Sequence, residues 1–110
     1  HLAARALQRL GRTDQALAHG RRAVEINPGY VAALLHLAEL EQEAGEGPAA
    51  VERLEAVVRG GSDYPDVRVR LGEICRLAGR TDEARRHFRR ALELNAGYER
   101  AREALAAIAA

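Results

Sequence analysis

Gly11, Gly45 and Gly79 stand 34 residues apart, and no insertion or deletion disturbs the interval. Ala16, Ala50 and Ala84 keep the same register, and so do Tyr30, Tyr64 and Tyr98, which are all the tyrosines of the chain. A period of this length marks a stacked-repeat protein, in which each unit buries its apolar face only against its neighbours. Arrays of this kind work by presenting a long surface. The period therefore points to a binding module, and an enzyme is not expected.

Within each period the pattern is two helices and two turns. Apolar residues recur at helical spacing in Leu34, Leu37 and Ala38, and again in Val67, Leu71, Ile74 and Cys75. The scarcity of aromatic residues and the abundance of Ala and Leu favour helices over a sheet. A glycine ends the first helix of every unit (Gly11, Gly45, Gly79), where a left-handed cap is wanted. The second helix starts at Thr13-Asp14, Gly47-Pro48 and Thr81-Asp82, with Thr13 and Thr81 as N-caps and Pro48 at the first helical position. It ends at Asn27-Pro28-Gly29, Gly60-Gly61-Ser62 and Asn95-Ala96-Gly97. The spacing predicts helices over 1–10, 13–27, 31–44, 48–59, 65–78, 82–95 and 99–109, with the last one capping the final apolar face. The whole of 1–110 reads as one domain, with units 1–30, 31–64 and 65–98 and a capping helix 99–110. The chain opens partway through a helical pattern without Met, and is expected to be a fragment of a longer protein.

The net charge is only +1, so no strong field steers nucleic acid or a membrane surface. The distribution is uneven. Residues 1–30 carry five Arg against two acids, 31–64 carry two Arg against seven acids, and 65–98 carry eight Arg against five acids. This basic, acidic, basic banding is expected to favour one stacking order, with unlike charges facing across each junction. All 17 basic residues are Arg, read mainly as the coding bias of a GC-rich genome. A single Cys75 excludes an internal disulfide and points to a reducing, cytoplasmic setting. No apolar run approaches a membrane span.

These residues resemble the tetratricopeptide repeat, W-x2-L-G-x2-Y, then A-x3-F, then P, in 34 residues. The third unit carries Arg68-x2-Leu71-Gly72-x2-Cys75, Ala84-x3-Phe88 and Ala91. The second carries Leu34-x2-Leu37-Ala38-x2-Glu41 and Ala50-x3-Leu54. The first retains Ala3-Ala4-x2-Leu7, Ala16-x3-Gly20, Ala23 and Pro28. The departures are Leu34 and Arg68 in large aromatic slots, Glu41 where an aromatic packs, and Gly20 in place of a bulky residue. An Arg68–Glu41 pair between units is conceivable, because a buried unpaired charge is costly. The resemblance implies an all-α solenoid, a right-handed superhelix of about three repeats plus a C-terminal capping helix. First helices would line its concave face and second helices its convex one.

On that concave face, the side opposite the packing stripe selects Arg5, Gln8 and Arg9 in the first unit. It selects Leu35, His36, Glu39, Gln42 and Glu43 in the second, and Val69, Arg70, Glu73, Arg76 and Leu77 in the third. Leu35 and Val69 among charged residues suit a peptide or helix of a partner protein laid in a groove. Some members of the family clamp a C-terminal carboxylate with Lys and Asn. Here there is no Lys, and only Arg70 keeps a basic residue at such a place. Two alternatives stay open: a regulatory or oligomerisation segment of a larger enzyme, and an anion or nucleic-acid surface on the Arg85–Arg90 helix. The latter is diluted by Asp82, Glu83 and Glu93 and lacks aromatics for base stacking. The tyrosines read as wedges in the joints between units. No pair of His or Cys has metal-ligand spacing, Cys75 reads as a buried small hydrophobe, and no cofactor is expected.

Overall fold

The computed structural model describes the backbone of residues 2–109 and the side chains of residues 11–108. Six helices follow one another: α1 Leu2–Ile26, α2 Val31–Glu43, α3 Gly47–Arg59, α4 Pro65–Leu77, α5 Thr81–Leu94 and α6 Glu99–Ala109. No strand occurs among the described residues. Each helix packs on the next, and α2 also touches α4, which is the contact pattern of an all-α solenoid.

α4 is the central brace. Its Val67, Leu71 and Ile74 join Ala38, Ala50 and Leu54 in one buried cluster, while its Val69 and Cys75 join Ala84, Phe88, Ala91 and Ala101 in a second. Both faces are buried because the apolar positions of this helix are not confined to one stripe. The alanines let helix backbones approach closely. At Gly72 the fit is tightest: a Cβ there would lie 2.5 Å from Cε1 of Phe88, whose ring is wholly buried.

The first unit departs from expectation. The turn predicted at Gly11-Arg12 is absent, and 1–10 and 13–27 are not separate helices, because α1 runs unbroken from Leu2 to Ile26. The tetrapeptide Gly-Arg-Thr-Asp at 11–14 recurs at 79–82, where it does form the turn. At that turn Gly79 has φ +80°, and the Arg80 N–H donates to the Cys75 carbonyl at 2.8 Å, closing a Schellman-type cap. Identical residues thus take two conformations, so tertiary packing makes the choice. In the third unit Phe88 pins α5 against α4 at Gly72. Its equivalent in the first unit is Gly20, which offers no knob to hold a returning helix and instead receives the side chain of Leu37. Without that anchor, continuing the helix through Gly11 costs only about 1 kcal/mol relative to Ala, less than nucleating a second helix.

Two smaller differences concern the caps and the charged slots. Thr81 is the first residue of α5 instead of its cap, and no side chain caps that end. Glu41 and Arg68 do not meet. The buried Glu41 carboxylate accepts from Arg53 through Nε at 3.0 Å and Nη2 at 3.2 Å, a forked pair inside the middle unit. Arg68 donates through Nε and Nη2 to Asp63 at 2.6 and 3.1 Å. Each charge in an aromatic slot therefore carries its own counter-ion nearby in sequence.

Candidate functional site: the first-helix face

α2, α4 and α6 lie side by side, and a ladder of charges crosses them. Glu39 on α2 faces Arg70 on α4 at 3.6 Å, Arg70 bonds Glu73 one turn on at 3.0 Å, and Glu73 accepts from Arg100 on α6 at 2.7 Å. Together with Arg21–Glu46 and Arg90–Asp63, these contacts set unlike charges across the unit junctions. Arg70 is doubly engaged by acids, so it is not a vacant cation waiting for a carboxylate.

Around the ladder, His36, Glu43 and Arg76 are exposed, and Glu39, Gln42, Arg70 and Glu73 are half-buried. Leu77 is 69% exposed, a large apolar side chain standing in water. Arg5, Gln8 and Arg9 lie outside the residues whose side chains are described. Val69 does not belong to this face. It is 1% exposed and buried against Ala101, Tyr98 and Leu105 on the α6 side. Leu35 is half-buried and rests on the first cluster in the equivalent way. These two positions form the seam between consecutive first helices. A helix clasped on two sides buries residues that single-face periodicity assigns to solvent, and α4 is such a helix.

The tyrosines supply what sequence periodicity missed. Tyr30 and Tyr64 are 57% and 50% exposed, too open for wedges, while Tyr98 is half-buried against the second cluster. Tyr64 and Tyr98 flank an open hollow of about 520 Å³ floored by Val31, Leu35 and Pro65 with Asp66 at its edge. The available signal was position. Tyr30 and Tyr64 are the N-cap residues of α2 and α4, one place ahead of the helical stripe, so their rings stand at the helix mouth. Arg100, assigned from sequence to the cap alone, completes the ladder.

The second helices carry a hollow of about 380 Å³, where Val51, Glu52 and Glu55 of α3 meet Ile74, Cys75 and Leu77 of α4, and a separate charge cluster around α5. On α5, Arg85 is held by Asp82 at 3.1 Å and Arg90 by Asp63 and Glu93 at 3.1 and 3.0 Å. Asp63 sits between Arg68 and Arg90, whose hydrogen bonds, Arg68's foremost, hold its carboxyl below the ordinary value of 3.8. The His87 Nδ1 lies 3.2 Å from Arg68 Nη1. Burial first, and then the Arg68 charge, push its pKa below 6.5, so the ring is a neutral acceptor at that nitrogen. Burial, reinforced by Glu83, raises the Cys75 thiol, which is 1% exposed and donates to Glu83 at 3.8 Å. A thiol so placed is a poor nucleophile. Among the described residues no group of three His, Cys, Asp or Glu side chains is arranged to hold a metal ion, and no helix is long and apolar enough to cross a membrane.

A sequence model described as the tetratricopeptide repeat matches residues 7–68 and again 43–108, so the two matches together span nearly the whole chain. No individual curated protein matches it. With the 34-residue period, the paired helices and the Phe88-on-Gly72 packing already in place, the chain belongs to the tetratricopeptide repeat family, whose repeats generally serve protein–protein interaction.

Proposed function

We propose that this chain is a noncatalytic scaffold that holds an extended segment of a partner protein along the face formed by α2, α4 and α6. The tyrosine hollow takes an apolar side chain of that segment, and the exposed His36, Glu43 and Arg76 read its polar neighbours. The observation that carries this reading is the hollow itself. Half-exposed aromatic side chains flank an apolar floor next to a polar ladder, the mixture found where a peptide is both anchored and oriented. The ladder fixes the three helices relative to one another, so the surface is preorganised and little ordering cost falls on binding.

The test is selection of random 16-residue peptides displayed on phage against the purified chain, followed by titration of the synthetic winners. Tyr64→Ala with Arg76→Ala removes exposed groups only, so circular dichroism should be unchanged while affinity falls at least tenfold. Selected peptides that bind this variant as well as the parent chain would place the binding surface elsewhere.

A further inference from the structure

The helices α3 and α5 occupy equivalent places in consecutive units, and three positions on them are inverted in charge. Glu52 corresponds to Arg86, Glu55 to Arg89 and Arg59 to Glu93, each pair 34 residues apart. Glu52, Arg59, Arg86, Arg89 and Glu93 are exposed and Glu55 is half-buried. Among the described residues Glu52, Glu55, Arg59, Arg86 and Arg89 make no ion pair, whereas Glu93 accepts from Arg90. Five charges, four of them exposed, thus lack an ion-pair partner among the described residues, where most of the other arginines are neutralised.

We infer that this face pairs with a second copy of the same chain. Equivalent helices of a translational repeat run in the same direction with equivalent positions level. A two-fold axis parallel to α3 and α5, lying outside this face and equidistant from both, sets each helix opposite the partner's counterpart of the other at the same height. Glu52 then faces Arg86 of the partner subunit and Glu55 faces Arg89 of the partner subunit. The symmetry repeats both contacts, as an isologous interface requires. Ala49 and Ala56 flank Glu52 on the exposed side of α3, so no bulky side chain on that ridge holds the partner helix away. A single helix of 13 residues is about 20 Å long, and two neighbouring ridges present roughly half of the ~800 Å² per partner of a standard interface. The pairing is therefore weak and governed by salt. A nucleic-acid strand fits this face poorly, since a phosphate reaching Arg86 or Arg89 also meets the acids of the adjacent ridge.

Sedimentation equilibrium of the chain decides the matter. Wild type associates reversibly to a dimer at about 0.01 M salt and dissociates at about 1 M, as the screening length falls from roughly 30 to 3 Å. E52R/E55R makes both ridges basic, R86E/R89E makes both acidic, and each weakens self-association at least tenfold. An equimolar mixture of the two recovers a heterodimer, and the fourfold exchange E52R/E55R/R86E/R89E recovers the homodimer. The milder E52Q/R86Q repeats the weakening without reversing charge, should a reversed variant fold poorly. A wild type that stays monomeric at low salt overturns the inference. So does a dimer indifferent to reversal, or a mixture and a fourfold exchange that fail to recover association.

Discussion

Gly11 and Gly79 begin the same tetrapeptide, yet replacing each with Ala should move stability in opposite directions. Gly79 sits at φ +80°, in the left-handed region where a Cβ meets the following carbonyl. Ala there costs about 1 kcal/mol, after the smaller benefit of a stiffer unfolded chain is set against the strain. Gly11 lies inside α1 without a positive φ, and a Cβ there meets nothing within 4 Å. Ala at that position should therefore recover roughly 0.8–1 kcal/mol of helix propensity. The two variants differ by about 2 kcal/mol, although the local sequence around each is the same. With a urea slope of about 1–3 kcal/mol/M, the midpoints separate by about 1 M. Ellipticity at 222 nm supplies the second readout, rising for Gly11→Ala even if the front of α1 frays independently of the rest. A Gly11→Ala variant that loses stability and helicity together would mean that Gly11 is a left-handed cap like Gly79. The continuous α1 would then be wrong.

Gly72→Ala should destabilise by about 2 kcal/mol net, because displacing the Phe88 ring outweighs the helix propensity gained; combining it with Phe88→Leu should return part of the loss in a double-mutant cycle. Arg53→Met leaves the Glu41 carboxylate buried without its partner. Since Arg53 is 30% exposed and water can reach the pair, the cost should be about 2–3 kcal/mol, less than for a wholly buried pair, and Glu41→Leu with Arg53→Leu should be close to neutral in thermal melts. Asp63 has a lowered native pKa, so its contribution is complete above the unfolded value and vanishes as pH falls through the native one. Asp63→Asn should therefore be less stable than wild type at neutral pH, and the two denaturation midpoints should converge in acid. His87 also titrates low in the fold. Its native state loses stability as pH falls from about 6.5 through the native pKa, and His87→Gln should flatten that part of the profile.

Much of the fold could be read from spacing because repetition tests each local reading three times. The helix ends at Gly45 and Gly79, the early end of α3 before Gly60, and the buried stripe of α4 all follow from residues whose roles are local. The exceptions share one physical cause. At Gly11 the tetrapeptide permits a turn or a helix, and the decision lies with residue 20, nine positions away, through a packing partner on another helix. At Val69 the residue is apolar on a face that periodicity marks as outward, and only its burial against α6 shows that α4 is clasped on both sides. A rule based on one helix at a time has no access to either fact.

The candidate site shows the same division at the level of charge. The banding of basic, acidic and basic units was visible in the sequence, and so was the scarcity of aromatics. Pairing assignments were not, because Arg reaches many acids at similar cost. Glu41 chose Arg53 across the hairpin instead of Arg68 in the next unit because a forked contact within one unit satisfies both carboxylate oxygens without depending on the junction. That choice has a consequence for recognition. Once Glu41, Arg68 and Arg70 have their counter-ions, the charges left over among the described residues include Glu52, Arg59, Arg86 and Arg89 on α3 and α5 and Glu43 and Arg76 beside the first-helix face. An array whose interior charges are satisfied locally leaves its surface charges available to meet other molecules. In this chain those surface charges divide into a mixed rim beside the tyrosine hollow and two opposed ridges on the far side, so that binding a partner segment on one face and a second copy on the other need not compete.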